Sequence, residues 1–568
     1  MDVPLKAALG RLTHGLSPAA LALAFQDWWW HLCSSPGKLA ELSSSASHGL
    51  VRNAVLAQQQ LLLQAPGEPL QDKRFTHPAW AREPFGTAAK SFLMAQAWWA
   101  QATTGVPGVS THHEQVVSFM ARQLLDMLSP SNFVASNPEV IEKTWRTLGD
   151  NLRSGMLTWW HEAGLVLADQ PPPGAERFRP GEAVALTPGK VVFRNRLIEL
   201  IQYEPATGTV HPEPLLVVPS WIMKYYILDL SPHNSMVKYL VSQGHTVFMI
   251  SWRNPDEADR ELGMDDYLQL GVMAALEAVQ RAQPRRLVHL VGYCLGGTLA
   301  AIAAASLGGR GKDSPLKTFT LLAGQTDFKE PGELGLFIDE SQIAFLEQVM
   351  DEQGYLDGRQ MAGAFALINS KDLVWSKLVR VYLMGGTVPL DDLHAWNADA
   401  TRLPARMHSE YLRGLYLRND LAEGRYLVQG QPVALSDIRV PMFVVGTERD
   451  HVSPWRSVYK IHLLTHTDTT FVLTSGGHNV GIVNPPADDE AAALRSHRIA
   501  QRHAGEPYLA PDVWFDQTPS RPGSWWPGWH EWLAARSGAL GKPLPLGGSG
   551  PTRLVPLGNA PGLYVHAP

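Results

Sequence analysis

Cysteine is almost missing from this chain. Two cysteines among 568 residues, Cys33 and Cys294, exclude a disulfide framework and any multi-cysteine metal or iron–sulfur site. They leave a reduced, intracellular thiol available for chemistry. A basic excess is missing too: 48 Lys+Arg against 54 Asp+Glu give a formal net charge of −6, which argues against a nucleic-acid partner. The N-terminus, MDVPLKAALGRLTHGLSPAALALAF, lacks the basic end, apolar run and small-residue cleavage site of a secretory signal. No internal repeat is visible. A single uncharged run, Leu287 to Gly309, is long enough to span a bilayer. Its Gly-Tyr-Cys-Leu-Gly-Gly punctuation splits it into a short strand and an Ala-rich helix, so no integral membrane segment is expected and a cytoplasmic location is.

What remains is a globular composition, 45% hydrophobic and 18% charged, with 19 tryptophans. So many indoles point to large apolar surfaces with polar tips, as at interfaces and amphiphilic substrate sites. Residues 1–170 read as an N-terminal helical domain with aromatic clusters at Trp28-Trp29-Trp30, Trp98-Trp99 and Trp159-Trp160. A Pro/Gly-rich stretch, 168–190, marks the boundary. Beyond it the texture changes. The segment from Val191, VVFRNRLIELIQYE, suggests a hairpin. Short β-type runs then begin at Leu215, Thr246, Leu287, Thr318, Met442 and Thr470, with helical stretches between them. That pattern predicts a mostly parallel sheet with helices on both faces across 171–568. Between the fourth and fifth runs, residues 325–440 read as a helical insertion. Its place in the chain predicts a mobile cap over the carboxyl edge of the sheet, with Phe337, Ile338, Phe345 and Leu346 as an apolar face.

The chemistry concentrates at Gly292-Tyr293-Cys294-Leu295-Gly296-Gly297. A strand precedes it and a helix follows, which is the setting of a G-x-S-x-G nucleophile elbow with cysteine in place of serine. An acid and a histidine are then expected downstream, each after a strand. Asp450 follows the strand from Met442, and His478 sits in Ser-Gly-Gly-His-Asn after the strand from Thr470. Asp450 would orient His478, and His478 would take the proton of Cys294. Asp327, after the strand from Thr318, is the alternative acid. The backbone amides of Leu295 and Ile222 are the expected oxyanion donors, by position after the nucleophile and after the early strand. His451, Trp396 and Arg402 are candidate substrate contacts. Cysteine in place of serine favours acyl transfer between thioesters and on to a hydroxyl, because a thioester intermediate keeps the acyl group activated.

These residues stand in a sequence that resembles the polyhydroxyalkanoate synthases, the cysteine-dependent polymerases of bacterial storage polyester. The resemblance runs over nearly the whole chain: DKRFTHPAW (72–80), TPGKVVF (187–193), IMKYYILDLSP (222–232), GHTVFMISWRNP (244–255), GYCLGGTLA (292–300), WNADATRLPARMH (396–408), DHVSPWRSVY (450–459) and SGGHNVGIVNPP (475–486). It implies an α/β-hydrolase fold with a helical cap and an N-terminal helical domain. It also implies (R)-3-hydroxyacyl-CoA substrates, a growing polyester chain as partner and a place at the storage-granule surface. A homodimer is expected, with no metal and no cofactor beyond the coenzyme A of the substrate. On the family's pattern Cys294, Asp450 and His478 fall at the catalytic positions, and Asp450 either orients His478 or assists the 3-hydroxyl. The length resembles the self-sufficient single-subunit synthases, which suggests short-chain substrates. Ser220, Met223 and Asn479-Val480 depart from the residues usual in the family and bear on acyl-chain preference. Two alternatives share parts of the evidence: a thioesterase or polyester depolymerase of the same fold, and a non-catalytic granule-coat protein that uses its tryptophans alone.

Overall fold

The computed structural model describes residues 13, 16–63, 70–168, 170–309, 311–358, 360–361, 370, 374–388, 390–486 and 494–567. The chain forms two compact units. One comprises Gly174–Ala362 and Leu390–Pro568, the other Leu16–Pro173 and Gly363–Pro389.

The first unit is built on one large sheet. Its strands are β1 (Gly189–Arg194), β2 (Ile198–Tyr203), β3 (Leu215–Val218), β4 (Val247–Trp252), β5 (Val288–Tyr293), β6 (Leu316–Leu322), β7 (Met442–Thr447), β8 (Thr469–Thr474), β9 (Ser496–Arg502), β10 (Arg521–Pro522) and β11 (Gly558–Asn559). Their spatial order is β11-β1-β2-β4-β3-β5-β6-β7-β8-β9-β10. Strands β3 to β8 run parallel to one another, and β2 enters antiparallel beside β4. This is the sheet of an α/β-hydrolase. The six parallel strands are rich in Val, Ile, Leu, Phe and Thr and buried along almost their whole length, because helices cover both faces and leave no solvent side. Two apolar cores result. One packs helix Leu295–Gly308 against the sheet, and the other takes the opposite face with helix Trp526–Ala534. The chain runs from β3 outward to β4 and then returns past β3 to β5. That reversal opens a crevice at the carboxyl ends of β3 and β5, where sheets of this class hold ligands.

The carboxy-terminal tryptophans are core, contrary to the expectation of amphiphilic surfaces. Trp525 and Trp529 are 0% exposed, and their indole N–H groups donate to the Gly481 carbonyl at 3.0 Å and Thr320 Oγ1 at 3.1 Å. An indole that finds an internal acceptor loses its reason to stay at the surface. The Gly/Pro-rich tail is equally integrated, since β11 extends the sheet beside β1. No described helix is long and apolar enough to cross a membrane. Leu287–Gly309 divides into β5 and the helix behind it.

The second unit is helical: α1 (Pro18–Cys33), α2 (Pro36–Leu63), α3 (Phe85–Thr103), α4 (Thr111–Met127), α5 (Pro138–Arg146) and α6 (Asp150–Leu167). Ser17, Ser110 and Asn137 cap α1, α4 and α5 through their side chains, and proline opens α1 and α5. Trp28 Nε1 donates to the Ala102 carbonyl at 2.9 Å and ties α1 to α3. Trp29, Trp30, Trp145, Trp159 and Trp160 remain exposed.

In one place the division departs from the expected domains. Gly363–Pro389, read from sequence as part of the cap, belongs to the helical unit. The cause is a close approach at Gly155, where an added Cβ would lie 1.9 Å from the Tyr382 carbonyl oxygen. Asn151 Nδ2 donates to the Leu383 carbonyl at 2.7 Å, and Tyr382 hydroxyl to Glu162 Oε2 at 2.7 Å. A Gly155→Ala variant is therefore expected to loosen residues 374–388 from α6. Hydrogen exchange should speed up there and in α6 while β3 to β8 stay protected, and unchanged exchange at 374–388 would contradict this packing.

Candidate active site

Cys294 sits on the turn between β5 and the helix Leu295–Gly308, at φ +54 and ψ −124. A side-chain-bearing residue rarely adopts positive φ, and here the surroundings fix it. The Cys294 amide donates to the Leu322 carbonyl on neighbouring β6 at 2.9 Å, and its own carbonyl accepts from Gly297 at 2.9 Å. The turn also needs glycine on both sides. A Cβ on Gly292 would lie 2.5 Å from Gly297 Cα, and one on Gly296 would lie 2.3 Å from both the Val218 and Pro219 carbonyl oxygens. The helix therefore starts directly against β3 and pushes the thiol out over the crevice. Cys294 is partly exposed at the N-terminus of that helix. Cys33, the other cysteine, is exposed on α1 in the helical unit.

His478 lies in the loop after β8. Its Nδ1–H donates to Asp450 Oδ2 at 2.8 Å, since a carboxylate only accepts. Asp450 is 8% exposed and is held on every side. Thr447 Oγ1 donates to Oδ2 at 2.8 Å, and the amides of Val452 and Ser453 donate to Oδ1 at 2.9 and 2.7 Å. His478 Nε2 is buried with no hydrogen-bond partner, and the Cys294 thiol lies within electrostatic reach of the ring. Burial opposes charge on both partners. For Asp450 the adjacent imidazole, by its charge and its hydrogen bond, together with the bonds from Ser453 and Thr447, outweighs burial and keeps the carboxyl below its ordinary value. For His478, Asp450 and the Cys294 side chain outweigh burial and raise the imidazole well above 6.5. The histidine loop is itself anchored, because the Trp525 and Trp526 indoles donate to the Gly481 and Ile482 carbonyls at 3.0 Å each. Tyr293 hydroxyl donates to Asn479 Oδ1 at 2.6 Å.

The alternative acid is used elsewhere. Asp327 Oδ1 accepts from the Lys329 amide at 2.8 Å and from Asn419 Nδ2 at 3.3 Å, so Asp450 is the carboxylate on His478. The Leu295 amide opens a helix and has no intrahelical acceptor. The Ile222 amide is turned toward Ser220 Oγ at 3.4 Å, near the limit of a hydrogen bond. His451 is exposed beside Asp450. Arg402 places its guanidinium over the Tyr355 ring at 5.1 Å. Trp396 needs correction: it is 4% exposed and its indole donates to the Lys224 carbonyl at 2.7 Å. It braces the loop after β3 and offers no face to coenzyme A.

Two neighbours of the thiol had no signal in the sequence. Tyr411 and Tyr416, from the expected cap, join through their hydroxyls at 3.2 Å. Burial raises both phenols, and the charge of Cys294 adds to the effect. Thr447 and Ser453 were also missed, although Asp450-His451-Val452-Ser453 has the pattern of an Asx turn, in which the aspartate accepts from the amides two and three residues on. The expected apolar face of the cap is turned inward: Phe345 is 9% exposed, and Ile338 and Leu346 pack on the core. Among the described residues no group of three or more His, Cys, Asp or Glu is arranged to hold a metal.

The charge balance has a consequence for stability. Asp450 is lowered from 3.8 and His478 raised from 6.5. The aspartate's contribution is thus present above pH 3.8 and lost as pH falls through its folded value; the histidine's is present below pH 6.5 and lost as pH rises through its own. The melting-temperature gap between the wild type and Asp450→Asn should be widest between these limits, persist beyond pH 6.5 and shrink in alkali. A gap independent of pH would contradict the charged pair.

Residues 71–240 match the family model described as the N-terminus of poly-beta-hydroxybutyrate polymerase (PhaC), and residues 1–38 match poly-beta-hydroxybutyrate polymerase N terminal. Residues 213–485 match the alpha/beta hydrolase fold. A poly(3-hydroxyalkanoate) polymerase of Methylorubrum extorquens is 39% identical over 503 residues, covering 88% of this chain and 81% of the relative. The poly(3-hydroxyalkanoate) polymerase subunit PhaC of Rhizobium etli is 37% identical, covering 88% and 78%. That of Cupriavidus necator is 36% identical, covering 88% and 84%. Identity at this level, through both the helical unit and the sheet that carries Cys294, shows that the chain belongs to the poly(3-hydroxyalkanoate) polymerase family.

Proposed function

We propose that this chain is a polyhydroxyalkanoate synthase, an acyltransferase that moves (R)-3-hydroxyacyl groups from coenzyme A thioesters to a growing polyester. The observation that carries the reading is the cysteine held at positive φ on the elbow, in reach of a histidine that is locked to a buried aspartate. In the proposed first step His478 Nε2 takes the thiol proton, Cys294 Sγ bonds to the thioester carbonyl carbon, and the carbon–sulfur bond to coenzyme A breaks. The departing thiolate takes the proton from His478, so the enzyme holds an acyl thioester and free coenzyme A leaves. In the second step the 3-hydroxyl of another unit loses its proton to His478 and attacks that thioester; the ester forms, the acyl–Sγ bond breaks, and Cys294 recovers the proton from His478. The amides of Leu295 and Ile222 serve the oxyanion in both steps.

Cysteine suits this sequence better than serine. Exchange between thioesters is nearly balanced in energy, and delivery to an alcohol runs downhill. The part of the cap that stays with the catalytic unit brings Tyr411 and Tyr416 toward the thiol, which supports a gate that excludes water. The exposed tryptophans of α1, α5 and α6 support a place at the polyester surface, where apolar area is covered.

The test mixes the protein with 3-hydroxybutyryl-CoA and a thiol reagent and follows free coenzyme A and turbidity. The wild type should give both, and Cys294→Ala neither, a loss on the order of 10^4-fold or more. Coenzyme A without turbidity would make it a thioesterase; neither product from the wild type would favour a granule coat. In the same assay Asp450→Asn separates two roles for that carboxylate. Slowed release of the first coenzyme A marks orientation of His478, whereas normal first release with failed elongation marks assistance to the 3-hydroxyl.

A further inference from the structure

In the loop after β3, Pro219 to Lys224, the residues from Trp221 to Lys224 are bonded to one stretch of the cap segment, while the Trp252 indole holds the Pro219 carbonyl at 3.0 Å. Thr401 Oγ1–H donates to the Trp221 carbonyl at 2.5 Å, and the Thr401 amide donates to the Ile222 carbonyl at 3.0 Å. Met223 and Ala400 form an antiparallel bridge between these two bonds and the Trp396–Lys224 bond. Thr401 is 3% exposed, so water does not compete for its hydroxyl. A trans peptide is planar, and its C=O and N–H point in opposite directions. The Trp221 carbonyl and the Ile222 N–H belong to the same peptide. Whatever fixes the direction of that carbonyl therefore fixes where the Ile222 N–H points.

We infer that Thr401 is a positioning residue for acyl transfer: its hydroxyl sets the peptide plane that aims the Ile222 amide at the oxyanion. The inference rests on the proposed role of Ile222 and adds to it a physical link from the cap segment to the oxyanion site. Without the hydroxyl, the Trp221–Ile222 peptide keeps only the long contact to Ser220 Oγ on its N–H side, and the carbonyl is a buried acceptor without a donor, free to rotate toward other partners. The Thr401 backbone bond to Ile222 acts on the next peptide, so it does not replace the lost constraint. The thiol, the imidazole and the aspartate are untouched, and only the step in which charge develops on the acyl oxygen is affected.

The test compares Thr401→Val, which keeps the shape and removes the donor, with Thr401→Ser, which keeps the donor. With 3-hydroxybutyryl-CoA, kcat for coenzyme A release should fall at least about tenfold in Thr401→Val with KM nearly unchanged. Alkylation of Cys294 by iodoacetamide, which builds no oxyanion, should proceed at the wild-type rate. Thr401→Ser should recover kcat to within about threefold. A wild-type kcat in Thr401→Val would overturn the inference, as would a loss that appears in KM or equally in alkylation. If Thr401→Val is insoluble, Thr401→Ser is read alone, and a loss there beyond about tenfold overturns it. A wild-type protein that releases no coenzyme A would instead defeat the proposed function and is seen before either variant is compared.

Discussion

The molecule depends on a turn that only a few residues can make. Between β5 and its helix the chain reverses within Cys294 itself, at positive φ, and the helix begins against the carbonyl oxygens of Val218 and Pro219. No Cβ fits at Gly292 or Gly296. The strain of this conformation is held by the hydrogen bond to β6 and by the cores on both faces of the sheet, so the reactive side chain is placed by the whole fold rather than by its own loop. Everything else in the site is arranged around that fixed point. β7 delivers Asp450, β8 delivers His478, and β3 delivers the loop that carries Ile222.

A second constraint is that the carboxylate beneath the imidazole is saturated. Asp450 accepts from a hydroxyl, two amides and the imidazole, which leaves it no freedom to turn away. The tryptophans of the carboxy-terminal helix do the same for the histidine loop from the other side. His478 Nε2 is the group left open, facing the thiol. An imidazole held on one side with its other nitrogen left open suits proton transfer at a thiol, because reorganisation at the moment of reaction would cost rate.

Much of this was legible in the sequence, and the reasons are particular. Continuous runs such as Leu215 to Val218 and Met442 to Val445 mark strands buried on both faces, and the order of elbow, acid and histidine follows the order of those strands along the chain. β9 was missed because SHRIAQR is polar and half-exposed, as an antiparallel strand beyond the parallel set is free to be. The fate of Gly363–Pro389 was hidden because the deciding contact, Gly155 against the Tyr382 backbone, joins residues more than two hundred positions apart and leaves no periodicity. Trp396 misled for a related reason: an aromatic in a motif-rich segment reads as a ligand contact, yet its N–H is spent on the Lys224 carbonyl. Tyr411 and Tyr416 gave no signal at all, since cap helices carry aromatic residues for packing as often as for chemistry.

The central claim is that the acyl group is carried on the sulfur at the elbow. Quenching the protein in acid shortly after mixing with 3-hydroxybutyryl-CoA, then mapping the peptides by mass spectrometry, reads this directly. The account predicts one or more 3-hydroxybutyryl units on the peptide that contains Cys294, removed by neutral hydroxylamine as a thioester should be. Acylation of Cys33 or of a hydroxyl side chain in its place, with coenzyme A still released, would contradict it.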